Sequence, residues 1–200
     1  MPPYDRAEKT RRIFDAAAAE FAAEGIAGAR VDRIAAHADC NKALIYRYWG
    51  DKETLFGAVL ERRLTDLATT VELRPDDVPA YIGELFDFMT TNPDVLRLVQ
   101  HEIVHFDLSN IPLRESRTAH YRDKVDAVSA AQGTGTADPA LDPRFVVMSL
   151  ISLVSWFVAA PQITEMVLGQ PADVDVSHAY RGHLVEISSR MLTPRAARLS

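Results

Sequence analysis

Residues 30–52, RVDRIAAHADCNKALIYRYWGDK, decide the fold. Val31, Ile34, Ala35 and Ala38 recur at helical spacing, and a second apolar set, Leu44, Ile45, Tyr48 and Trp49, follows a break at Asp39-Cys40-Asn41. Two short helices joined by a tight corner make a helix-turn-helix. Ala35 falls where the helices would cross, and a larger side chain there would force them apart. Ile45 is the knob that packs against it. Asn41 is placed to cap the second helix by accepting from an unpaired amide at its start. Gly50 suits the left-handed turn that ends it, and Asp51 suits the cap of the next helix.

The run from Thr10 to Leu60, above all IAAHADCNKALIYRYWGDKETLF, resembles the N-terminal DNA-binding domain of TetR-type transcriptional regulators. In that family an apolar first helix and an alanine-rich second helix precede a short recognition helix with a Leu-Tyr-x-Tyr/His-Phe core. A lysine near the start of the fourth helix follows. Here the core is Ile45-Tyr46-Arg47-Tyr48-Trp49 and the lysine is Lys52. Two positions depart from the pattern. Asp39 stands where glycine is usual, and aspartate tolerates the left-handed region at modest cost. Arg30 stands where serine or threonine is usual, which loses a helix cap and adds a cation. The resemblance implies that Arg30, Lys42, Ala43, Leu44, Tyr46, Arg47, Tyr48 and Lys52 face DNA. Lys42 and Arg47 can donate to guanine, Ala43 and Leu44 can touch a thymine methyl, and Tyr46, Tyr48 and Lys52 can hold phosphates.

Charge fits this only when read locally. The chain has 200 residues and a net charge of -6, which in bulk argues against nucleic acid. Yet Arg11, Arg12, Arg30, Arg33, Lys42, Arg47 and Lys52 cluster near the start, and much of the acidic excess lies after residue 72. The single cysteine, Cys40, cannot form an internal disulfide, and the charged N-terminus does not suit a signal peptide. A cytoplasmic location is expected. The apolar run from Phe145 to Ala160 would span only about 24 Å as a helix, short of the roughly 30 Å of a bilayer core. It reads as a bundle helix.

The remaining periodicity is helical throughout, so the expected fold is all-α. A first helix over Thr10 to Glu24, with stripe Ile13, Phe14, Ala17 and Phe21, ends at Gly25 and Gly28. A long fourth helix from Lys52 to about Leu73 links the parts. Further helices are expected over Tyr81 to Thr91, Pro93 to Phe106, Leu113 to about Ala131, Arg144 to Ala160 and Asp175 to Leu192, with a loop over Gln132 to Pro143. The expected organisation is a three-helix DNA-binding domain over residues 1–54, joined by the long helix to a ligand-binding and dimerisation domain over residues 55–200. The C-terminal pair, residues 144–160 and 175–192, offers a small-residue strip (Ser149, Ser152, Ser155) and an apolar stripe (Tyr180, Leu184, Ile187, Met191). Two such pairs would make a four-helix bundle across a two-fold axis, or else both stripes face the chain's own core.

A competing motif is His101-Glu102-Ile103-Val104-His105, which matches H-E-x-x-H, two zinc-binding histidines one turn apart with a glutamate to activate water. The longer pattern fails, with Leu108 in place of the glycine and Ile111 in place of the third histidine. The expected role is therefore a homodimeric, ligand-responsive regulator, most often a repressor in families of this kind, binding palindromic operator DNA and released by a small, largely apolar effector. No cofactor, metal or catalytic residue is expected. A zinc-dependent hydrolase built on His101, Glu102 and His105 and an effector-independent DNA-binding dimer are the alternatives. Phe86, Met89, His101, His105, Phe106, Tyr121, Met148, Trp156 and Phe157 are the candidates to line an effector cavity.

Overall fold

The computed structural model describes the backbone of residues 3–194 and the side chains of residues 7–194. Among the described residues there are ten helices and no strand: α1 Pro3–Gly28, α2 Val31–His37, α3 Lys42–Trp49, α4 Lys52–Thr70, α5 Val78–Thr91, α6 Pro93–His105, α7 Arg114–Thr134, α8 Pro143–Ala159, α9 Pro161–Leu168 and α10 Val174–Leu192. The all-α expectation holds. The described chain forms two compact units, one running up to Asp66 and including Asp94–Arg114, the other comprising Leu67–Pro93 and the residues from Glu115 onward. Compactness thus groups α6 with the helix-turn-helix. The division of roles at residue 54 is a separate matter and remains a proposal.

In the first unit, Ile13, Phe21, Ile34, Ile45, Leu55, Phe56, Leu60 and Leu98 are all buried in one core. Phe21 and Phe56 meet edge to face at 5.3 Å between ring centres. Ala35 and Ile45 are both buried in it, as small-against-large packing at the crossing requires. The first helix is interrupted just after Glu24, at Gly25 (φ 68°, ψ 178°), a backbone state open essentially to glycine, and a further turn runs on to Gly28, so the two glycines end it in two stages. The break also has a packing cause: a Cβ on Gly25 would lie 2.9 Å from Nδ1 of His101.

In the second unit, α5 packs on α8 and α10 around Tyr81, Ile82, Leu85, Phe86, Val147, Leu150, Val154 and Leu184. Phe157 stacks on Tyr180 at 4.5 Å, and both reach Phe86. Gly83 lets α10 approach, since a Cβ there would meet Arg181 and Val185 at 3.0–3.2 Å. Arg181 also donates to both Asp87 carboxylate oxygens at 2.8 Å. Of the apolar stripe of α10, Leu184 is buried in this core, Tyr180 and Met191 are half-buried, and Ile187 is exposed.

Three boundaries differ from expectation. α4 ends at Thr70 rather than near Leu73, because Val71 and Leu73 turn inward and are buried. α7 runs through Gly133 to Thr134, where Gly135 (φ 80°) ends it, and Gln132 donates to the carbonyls of Asp138 and Leu141 to hold the loop. α9 was not anticipated. Pro161 reads as a stop, but at the first turn of a helix its missing N–H costs nothing, so it starts one.

Candidate nucleic-acid interface

The recognition segment is fixed from three sides. Asn41 Oδ1 accepts from the Ala43 amide at 2.8 Å and caps α3. Asp39 adopts the left-handed conformation (φ 49°) that the corner needs, and its carboxylate pairs with Arg12 at 3.1 Å. Gly50 takes a positive φ of 75° after the helix, and Asp51 Oδ1 accepts from the Thr54 amide at 2.7 Å to cap α4. Ile45 anchors the inner face. Lys42, Ala43, Tyr46 and Arg47 are exposed on the outer one, while Leu44 and Tyr48 are half-buried at its margin.

The cations are held differently from one another. Lys42 pairs with Asp32 at 2.8 Å, both side chains more than half exposed. Such a pair is worth little in water and exchanges readily for another anion. The Arg47 guanidinium lies 5.4 Å from the centre of the Tyr48 ring. Tyr48 also sits edge-on to Trp49, which meets Phe14 of α1 at 5.6 Å, so Tyr48 is part core and part surface. Lys52 donates to the carbonyls of Ala27 and Ala29 at 3.1 and 3.2 Å, closing the end of α1 against the start of α4. Arg30 is exposed and makes no side-chain cap for α2.

The lost cap is replaced by a residue that periodicity did not single out. Glu20, buried on α1, accepts the Arg30 amide and Arg33 Nε, each at 2.8 Å. Burial would raise its pKa, but the hydrogen bonds from Arg33 and from the Arg30 amide outweigh it and hold the carboxyl below its ordinary range. A glutamate directly before a core phenylalanine, with an arginine available at the start of α2, is the signal that could have revealed it. Cys40 is half-buried, and burial pushes its thiol pKa up, away from the reactive thiolate.

The H-E-x-x-H residues do other work. Nε2 of His101 lies 3.4 Å from the Ala22 carbonyl, its ring packs over Gly25, and Nε2 of His105 lies 3.2 Å from Glu53. Glu102 is buried. Among the described residues no group of three or more His, Cys, Asp or Glu is placed to hold a metal. Of the nine cavity candidates, His101, His105 and Phe106 belong to the first unit, where Phe106 packs near Phe56. Phe86, Met89, Tyr121, Met148, Trp156 and Phe157 belong to the second. Within it, Phe86 and Met89 are core, Phe157 stacks on Tyr180, and Met148 and Trp156 are exposed.

A capped, outward-facing helix on a helix-turn-helix, with a second all-α unit after it, defines a helix-turn-helix DNA-binding regulator. Residues 13–59 match the family model described as bacterial regulatory proteins, tetR family, and residues 77–190 match the tetracyclin repressor-like C-terminal domain. The chain belongs to the TetR family of transcriptional regulators. It is 42% identical over 158 residues to the HTH-type transcriptional repressor SCO4008 of Streptomyces coelicolor, covering 79% of this chain and 82% of that one. To the HTH-type transcriptional repressor NicS of Pseudomonas putida it is 32% identical over 108 residues, half of each chain. The crystal structure of a candidate transcriptional regulator, SCO4942 of Streptomyces coelicolor, superposes with a TM-score of 0.79 at 36% identity, covering 92% of this chain and 98% of that one. No single helix among the described residues is long and apolar enough to cross a membrane.

Proposed function

We propose that the protein is a ligand-responsive transcriptional repressor that binds a palindromic operator as a homodimer in the cytoplasm and is released by a small, largely apolar effector. The observation that carries the DNA half of this reading is the outer face of α3, where Lys42, Ala43, Tyr46 and Arg47 stand exposed over the buried Ile45. Two such helices about 34 Å apart fit successive major grooves. Lys42 and Arg47 then read guanine edges, and Ala43 and Leu44 meet thymine methyls. Tyr46, Tyr48, Arg30 and Lys52 hold the backbone. Repression as the direction of control is supported by SCO4008 and NicS, which are repressors.

The dimer half rests on α8. It buries Val146, Val147, Leu150 and Val154 in its own unit and leaves Phe145, Met148 and Trp156 more than 60% exposed along the opposite side, with the small Ser152 between them. A second copy of α8 and α10, the pair over residues 144–160 and 175–192, would cover that stripe. An effector acts through its preference between a DNA-fitting spacing and another, and a tenfold preference couples by about 1.4 kcal/mol.

Fluorescence anisotropy against DNA from the protein's own upstream region tests the reading, with a salt titration and with Lys42→Ala and Tyr46→Ala in parallel. The expected result is sequence-dependent binding that weakens steeply with salt and is impaired by both changes. Binding no tighter than to random DNA would overturn it. Sedimentation of wild type and Trp156→Glu tests the dimer, which the charge should dissociate.

A further inference from the structure

Lys124 occupies a position that helical periodicity reserves for an apolar side chain. It lies with Val128 and Ala131 on the buried stripe of α7 and is only 8% exposed. No hydrogen bond or close ion pair reaches its ammonium from any described residue. Its defined neighbour is the face of the Tyr81 ring on α5, with Nζ 5.2 Å from the ring centre. Asp123 and Glu72 attract it from longer range. A cation over an aromatic face recovers only part of what burying an ammonium costs. Burial accordingly pushes the Lys124 pKa down in spite of those two carboxylates.

The groups around it are uncharged. Tyr81 is 2% exposed, its hydroxyl has no hydrogen-bond partner among the described residues, and burial, then the nearby Tyr121, raise its pKa and keep it protonated. His120, one turn back on α7, is kept toward its neutral form by burial and then by the Lys124 charge. A cation and a phenol thus sit together on the buried face between α5 and α7, with no carboxylate in contact with the ammonium.

We propose that this cluster on α5 and α7 is a carboxylate-recognition site, in which Lys124 and Tyr81 bind the carboxylate of a small organic acid whose apolar body lies against the unit's core. One ammonium matches a monoanion, whereas a phosphate dianion calls for more than one cation. The inference deepens, and rests on, the reading of the second unit as an effector domain, and it names the effector's charged end.

The test uses the full chain and a graded series of acetate, butyrate, octanoate and benzoate, each against its primary amide at matched ionic strength. Melting temperature and calorimetric affinity are read for wild type, Lys124→Met and Tyr81→Phe. The larger carboxylates should raise the wild-type melting temperature where their amides do not. Lys124→Met should melt at or above wild type without ligand and weaken carboxylate binding about tenfold or more, the loss of one charge-assisted hydrogen bond. Tyr81→Phe should weaken it less. No carboxylate advantage in wild type, or an advantage that survives in Lys124→Met, overturns the site. DNA anisotropy with the same compounds separates the two readings: carboxylate binding that leaves the DNA complex intact sinks release by effector and leaves this site standing.

Discussion

The two units differ at the places where each leaves or closes its buried charges. Around the corner of the first, charges and orphan backbone groups are closed locally. Glu20 takes the Arg30 amide and Arg33, Lys52 takes two carbonyls, and Asn41 and Asp51 cap their helices. In the second, Lys124 is buried without a counter-ion at contact distance, and α8 leaves Phe145, Met148 and Trp156 uncovered. The difference fits two tasks. On the proposed function, a surface that is to meet a fixed duplex gains from being rigid before contact, while a unit that is to respond to an effector gains from groups whose satisfaction depends on something arriving.

The largest expected effect lies in the core beneath the corner. Phe21 is fully buried against Phe56, and Phe21→Ala should cost about 3–5 kcal/mol by chemical denaturation. If the first unit is as rigid as argued, DNA affinity should collapse with it. A variant that loses the stability and keeps the affinity would break the comparison.

Gly25→Ala should come next. The backbone state at φ 68° costs an alanine about 1–3 kcal/mol, and the added Cβ also meets the His101 ring at 2.9 Å. In a His101→Ala background the steric part should vanish and the backbone part remain. Thermal melts of the two single variants and the double variant separate them. Full recovery in the double variant would mean that the backbone at Gly25 carries no strain.

The corner, its caps and the outer face of α3 were legible because they depend on residues within a few positions of one another, such as Asn41 with Ala43 and Ala35 with Ile45. The all-helical class was legible from periodicity alone. Less local features were not. α9 was hidden because one proline both ends α8 and starts the next helix. Glu20 was hidden because its partners, Arg30 and Arg33, lie 10 and 13 positions away and meet it only after the chain turns at Gly25. His101 and His105 look like ligands on a helix face until α1 and α4 supply their partners. Lys124 carried only a faint signal, its i, i+4, i+7 spacing with Val128 and Ala131, because a lysine on a polar helix otherwise reads as solvated.

Glu20 supplies the third test. Its carboxyl is held below the ordinary value of 4.5 in the folded chain, so its contribution is fully present above that value. It is lost as pH falls through the lower, folded value. Glu20→Gln should therefore cost about 1.5–3 kcal/mol at pH 7, as expected for hydrogen bonds to a buried charge, and should flatten the acid limb of the stability profile. A variant as acid-sensitive as wild type would place the acid-labile group elsewhere.

The smallest effect sharpens the comparison most. Asn41 caps α3 through the Ala43 amide at 2.8 Å, and Asp173 caps α10 through the Val176 amide at 2.9 Å, so a side-chain N-cap can be removed from a helix of either unit. Replacing either by alanine should cost about 1 kcal/mol. Only the first cap fixes a helix that meets DNA. Asn41→Ala should therefore weaken operator binding by more than its small population of unfolded chain explains, because a frayed first turn of α3 misplaces Lys42 and Ala43. Asp173→Ala, matched in stability, should leave operator affinity within about twofold of wild type. Equal losses of affinity in both variants would mean that binding follows global stability, and that the preorganisation argued for the first unit is not what the duplex selects.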